Sequence, residues 1–153
     1  SAEFSPNGKL IAIAEYDDTV TLKDANGKEL AKLIGHEGYI LSMAFSYDSK
    51  LLATASGDGT VRLWDISNTL AKSRFWGTSI RELAQFKGHT GRVEKVAFSP
   101  NDKLLATVTA EGTAQLWDIN TKEFATLKGY QARVTKATFS PDGKLLAVAG
   151  EDS

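Results

Sequence analysis

The sequence predicts an all-β fold of the propeller type, about three and a half four-stranded units long, and three observations carry that prediction. The phrase FSPNGKLIAIA at Phe4–Ala14 returns as FSYDSKLLATA at Phe45–Ala55, FSPNDKLLATV at Phe98–Val108 and FSPDGKLLAVA at Phe139–Ala149, with its phenylalanines 41, 53 and 41 residues apart. Units of that length, made of short strands, bury their apolar faces only against their neighbours. Apolar residues alternate with period two inside each unit, as in Val61-Arg62-Leu63-Trp64 and Val96-Ala97-Phe98, which is the pattern of half-buried strands. The pairs Asn7-Gly8, Asp58-Gly59, Glu111-Gly112 and Asp142-Gly143 interrupt the apolar runs, and glycine accepts the positive φ that tight hairpins demand.

Taken in order, and calling the strands of a unit a to d, the first unit opens on a shortened strand, SAEFS. The second reads ILSMAFS, LLATAS, TVRLWD and ELAQFKG, and the third VEKVAFS, LLATVT, TAQLWD and EFATLKG. The fourth supplies VTKATFS and LLAVAG, for about fourteen strands in all. Counted from one phenylalanine to the next, the units of this single domain cover residues 4–44, 45–97, 98–138 and, in part, 139–153. The second is 12 residues longer than the third, and the excess lies in an insertion at 67–80.

Eighteen Lys and Arg against nineteen Asp and Glu leave a net charge of −1, so no global field draws in nucleic acid or anionic lipid. The chain has no cysteine, which excludes disulfides and thiolate chemistry and fits a reducing compartment, and a cytoplasmic location is the expectation. No apolar stretch approaches the roughly 18 residues of a membrane span, and no Gly-x-x-x-x-Gly-Lys-Ser/Thr phosphate loop is present. Because the chain begins without Met and inside a repeat, it reads as a piece of a longer array.

Gly35-His36 and Gly88-His89 before strand a, with Trp64-Asp65 and Trp117-Asp118 closing strand c, resemble the WD-repeat (WD40) β-propeller family over essentially the whole chain. The barely diverged units also resemble bacterial and cyanobacterial arrays of that family. The resemblance implies blades of a ring, most often of seven, and departs from the pattern at Lys23-Asp24 and Gly129-Tyr130. It also implies a buried hydrogen-bonded tetrad, His36, Thr54, Asp58 and Trp64, repeated as His89, Thr107, Glu111 and Trp117. Such a set can be read as nucleophile, base and orienter, or as a network in which indole, hydroxyl, imidazole and carboxylate satisfy one another. The second reading leaves no group free to attack a substrate. The first unit offers Asp17 alone, with Ile13 and Lys23 at the other positions, so apolar packing is expected to hold it. The two histidines sit a blade apart and cannot converge on one metal.

In this family partners dock mostly on the face made by the d–a and b–c loops. There the sequence places Tyr16, Tyr39, Arg92 and Arg133 with Glu37, Gly57, Thr90 and Gln131, and tyrosine and arginine are frequent binding anchors. Phe75-Trp76 in the insertion pack either onto the blade flank or into a lateral partner. Arg62, Lys87, Arg92, Lys95, Lys128, Arg133 and Lys136 alternate with acids and lack an aromatic ladder, so they read as solvated surface. The expected function is a non-enzymatic protein–protein interaction scaffold within a larger propeller, needing no cofactor or metal and binding neither nucleic acid nor membrane. Two alternatives stand beside it: a sensor propeller regulating an attached signalling NTPase or protease, and a half-propeller completing its ring as a homo-oligomer through open blade edges.

Overall fold

Period-two alternation puts successive side chains on opposite faces of a sheet, and in the two middle sheets both faces of the central strands are covered. The computed structural model describes residues 1–70, 80–127 and 133–151, and among them every regular element is a strand. Strands β1 (Ala2–Phe4), β2 (Leu10–Ala14), β3 (Val20–Asp24) and β4 (Glu29–Leu33) form the first sheet. The second holds β5 (Ile40–Phe45), β6 (Leu51–Ser56), β7 (Val61–Asp65) and β8 (Arg81–Phe86). The third holds β9 (Val93–Phe98), β10 (Leu104–Thr109), β11 (Ala114–Asp118) and β12 (Phe124–Leu127). Strands β13 (Arg133–Phe139) and β14 (Leu146–Glu151) pair as a half-sheet. Every pairing joins strands consecutive in the chain and is antiparallel.

The sheets pack face to face, with β5 against β1, β9 against β5 and β13 against β9. The alternation then sorts residues between two interfaces. In the second sheet Leu52 and Trp64 join Leu10, Val20, Leu22 and Leu33 of the first, whereas Ala53, Ala55, Val61, Leu63 and Phe86 join Val93, Val96, Phe98, Leu105 and Trp117 of the third. A smaller cluster of Val108, Ala114 and Val134 links the third sheet to the half-sheet. Phe4, Phe45, Phe98 and Phe139, the repeated phenylalanines, converge on a concavity of about 240 Å³ where the first strands of the four sheets meet.

The rest of the repeated phrase is a turn staple. The hydroxyls of Ser5, Ser46, Ser99 and Ser140 donate to Asn7, Asp48, Asn101 and Asp142, at 2.8, 2.7, 2.7 and 2.5 Å. Each hydroxyl also accepts the amide of the leucine five residues on, Leu10, Leu51, Leu104 or Leu145, at 2.8–3.0 Å. The next turn residue, Gly8, Ser49, Asp102 or Gly143, has φ of 69°, 61°, 56° or 70°. Glycine takes that conformation without cost, whereas Ser49 and Asp102 bring side chains that reach the preceding turn. Ser49 Oγ accepts the Asn7 amide at 3.2 Å, and the Asp102 carboxylate accepts the amides of Tyr47 and Asp48 at 2.7 and 2.9 Å.

Candidate partner-binding face

At the opposite end of the strands, β6 and β7 bring the second-sheet tetrad together because Thr54 and Trp64 share the face turned to the first sheet. Trp64 Nε1–H donates to Thr54 Oγ1 at 3.0 Å, and Thr54, fully buried, lies 2.7 Å from His36 Nε2. His36 Nδ1 stands 2.9 Å from Asp58 Oδ2. One tautomer satisfies every group: Nδ1–H donates to the carboxylate, and Nε2 accepts the threonine proton. Burial of Asp58 pushes its carboxyl up, but the Thr60 hydroxyl, the Glu37 amide and the His36 ring outweigh burial and hold its pKa at about 2. Burial depresses the His36 pKa, and the Asp58 carboxylate opposes it without reversing it. Thr54 therefore has its hydrogen spent on imidazole and its oxygen spent on indole, in a site closed to solvent.

The third sheet repeats only part of the set. Trp117 Nε1–H donates to Thr107 Oγ1 at 2.9 Å, and His89 Nε2 lies 2.8 Å from the same oxygen. Glu111 is the correction: it does not complete this tetrad, and among the described residues buried His89 Nδ1 has no hydrogen-bond partner. The extra methylene carries the carboxylate past the ring and onto Gly91, where both oxygens lie 2.5 Å from the position a β-carbon would occupy. Without a counter-charge, burial alone lowers the His89 pKa to about 4. Packing compensates in part, since the Trp117 ring sits 5.0 Å from Phe86 and 4.5 Å from Phe124.

In the first sheet Leu10, Ala12, Val20, Leu22 and Leu33 are buried, and Asp17 adds polar contacts that the apolar expectation omitted. It accepts from the Thr19 hydroxyl at 2.5 Å and from Lys32 Nζ at 2.8 Å. The Lys32 and Thr19 bonds lower its pKa.

Tyr16 and Tyr39 are brought together. Tyr16, in the β2–β3 loop, and Tyr39, in the β4–β5 loop, border one cleft of about 230 Å³ with Ser1, Ala14, Glu15 and Ile40. They are 97% and 65% exposed. Arg92 lies apart, its Nε 2.9 Å from Glu94, and exposed Arg133 opens β13. Arg62 is withdrawn from any basic stripe, because its guanidinium lies over Gly35 and pairs with Glu82. Phe75 and Trp76, with Gln131 and Lys128, lie outside the described residues. Among the described residues no group of three or more His, Cys, Asp or Glu could hold a metal ion. The staple serines and Asp102 were missed as contact makers; for the serines the signal was the recurrence of Ser two residues before Asn or Asp in all four units.

Antiparallel four-stranded sheets, paired in chain order and packed inner strand on inner strand, define a β-propeller. The family model described as "WD domain, G-beta repeat" matches residues 27–65, 80–118 and 121–153, well over half the chain, which belongs to the WD-repeat family. Each described match begins before the last strand of one sheet and runs on into the next, so the repeat straddles two blades. A guanine nucleotide-binding protein subunit beta of Nicotiana tabacum is 34% identical over 124 residues, covering 74% of this chain and 31% of the relative. Actin-interacting protein 1 of Drosophila melanogaster is 37% identical over 84 residues, covering 52% and 14%. Nuclear distribution protein nudF of Aspergillus terreus is 27% identical over 109 residues, covering 71% and 22%. The chain thus spans about a third or less of the length of these relatives.

Proposed function

We propose that this chain is a non-catalytic protein-interaction module, part of a larger propeller, that docks a protein or peptide partner on the face made by its β2–β3, β4–β5, β6–β7 and β8–β9 loops. The observation that carries the reading is the pair of tyrosines exposed on two loops of one face, since large amphipathic rings left in water on a rigid scaffold are binding anchors. The relatives' names, a subunit and an interacting protein, fit a family that acts through partners. The tetrad argues against catalysis on this face, because its polar groups are consumed by one another. A cytoplasmic location belongs to the same proposal, with imaging of the tagged native protein as its check.

The test is panning of a random peptide library on the chain, followed by hydrogen exchange of each complex. Protection of the segments around Tyr16, Tyr39 and Arg92 supports the reading. Protection confined to the flank of β8 or to β14 refutes it. A second reading, completion of the ring by another copy, rests on β14, which among the described residues pairs only with β13. Light scattering across concentrations separates the two readings, since a stable dimer would favour completion. Regulation of an attached signalling NTPase or protease is the remaining alternative, and the sequence flanking the chain in its native protein decides it.

A further inference from the structure

We propose that Asn26, in the turn between β3 and β4, is a site of spontaneous covalent modification in the folded chain, where the backbone nitrogen of Gly27 displaces ammonia from the asparagine side chain. The sequence holds two closely matched candidates, Pro6-Asn7-Gly8-Lys9 and Ala25-Asn26-Gly27-Lys28, so local chemistry does not separate them. Both asparagines are exposed, and both glycines hold a positive φ, of 69° and 84°. At neither glycine would a β-carbon meet an atom within 4 Å, so the attacking nitrogen is equally open in both turns. Each glycine amide also closes its turn on an earlier carbonyl, Gly8 on Ser5 at 2.8 Å and Gly27 on Asp24 at 2.9 Å. Nucleophile and access are matched, and the side chains decide.

Asn7 is held. Its Oδ1 accepts from the Ser5 hydroxyl at 2.8 Å and from the Lys9 amide at 3.0 Å, and its own amide donates to Ser49 of the next sheet at 3.2 Å. Asn26 is tied through its backbone: its amide and that of Lys28 donate to the Asp24 carboxylate at 2.9 and 3.0 Å, and among the described residues its carboxamide has no hydrogen bond. Asp24 fills the stapling role in this hairpin, and the asparagine beyond it is left over. Ring closure requires the turn to open and Cγ to swing over the next nitrogen. At Asn7 two bonds to the reacting carboxamide must break as well, which slows the reaction at least about fivefold. The Gly27 nitrogen bonds to Cγ, its proton passes through water to the leaving nitrogen, and ammonia departs from a cyclic imide. Water then opens the ring at Cγ, giving an aspartyl residue, or at the backbone carbonyl, giving an isoaspartyl residue whose chain runs through the former side chain. Either product adds a negative charge beside Asp24, and the second lengthens the backbone of a turn that must span the paired residues Lys23 and Glu29.

The test incubates the chain in mildly alkaline buffer, with and without denaturing urea, and follows the converted fraction of each asparagine by peptide mapping and mass spectrometry. In urea the two sites should react at similar rates, because their neighbours match. In buffer alone Asn26 should convert at least about fivefold faster than Asn7. Ser5→Ala should narrow that ratio by speeding Asn7 and leave Asn26 unchanged, and Asn26→Ser should abolish most of the acidic species that build up on ion exchange. Equal rates at the two sites in buffer, or conversion of neither there while both react in urea, overturn the proposal. A preference for Asn26 that persists in urea overturns it too, since the cause would then lie in the local sequence and not in the fold. Should Ser5→Ala fail to fold, the comparison of buffer with urea on the unsubstituted chain still decides.

Discussion

The two tetrads differ by one methylene, and a pair of double-mutant cycles turns that difference into a number. His36 and Asp58 are joined at 2.9 Å, whereas buried His89 Nδ1 is unpaired and the Glu111 carboxylate rests on Gly91. Removing either partner alone is uninformative, because Asp58 also accepts from the Thr60 hydroxyl at 2.7 Å, the Thr60 amide at 2.8 Å and the Glu37 amide at 3.0 Å. His36→Ala, Asp58→Ala and the double variant isolate the pair itself. A hydrogen bond to a charged group contributes about 1.5–3 kcal/mol, so the first cycle should return a coupling of that size. The matching cycle at His89 and Glu111 should return about zero, within the usual ~0.5 kcal/mol of additivity error. Urea unfolding followed by tryptophan fluorescence reports both, since Trp64 and Trp117 each donate to the threonine of their own network. Equal couplings in the two cycles would refute the account of Glu111.

Three further expectations follow from the same geometry. Glu111→Asp should bring a carboxylate within reach of His89 Nδ1, raise the His89 pKa toward its ordinary value and raise stability by roughly 1 kcal/mol, or about 2–4 °C in melting temperature. An unchanged His89 titration by NMR would count against it. Gly38→Ala should destabilise by about 1–3 kcal/mol, because its β-carbon would stand 2.8 Å from the Asp58 amide nitrogen. Gly57→Ala, whose nearest atom is 3.8 Å away, serves as the tolerated control in the same denaturation assay. Stability should also fall as pH drops through the window from about 6.5 to 4. There the unfolded chain binds a proton at residue 89 that the folded chain refuses, so the depressed pKa stabilises above that window and ceases to below it. His89→Phe should flatten this part of the pH profile, and a slope unchanged by the substitution would show that His89 does not cause it.

What could be read from the sequence was whatever the chain says more than once. Alternation in LLATAS and LLATVT gave strands with two buried faces, and four copies of the phrase gave the number of sheets. The tetrad was legible for the same reason. Glu111 was not, because the difference between reaching His89 and overshooting it is about one bond length, below the resolution of a pattern. Asp102 escaped notice because its carboxylate acts across 55 residues, on the preceding turn's amides, and only the positive φ of its backbone aims it there. Tyr16 and Tyr39 could be named as loop residues, yet their shared cleft is a product of sheet packing.

The turn contacts give the array a direction. Ser49 and Asp102 each take hydrogens from the turn before them, and the residue at that place in the fourth unit, Gly143, has no side chain with which to do so. Likewise Thr54 and Trp64 face backward to the first sheet while Ala53 and Leu63 face forward to the third. The two flanks of a blade are therefore different surfaces that mate front to back, as in a head-to-tail assembly. A copied blade inserted in register would meet complementary flanks on either side, whereas an inverted one would meet none. Growth by tandem duplication is thus built into the unit, and the return of one phrase in all four units is what such growth would leave behind.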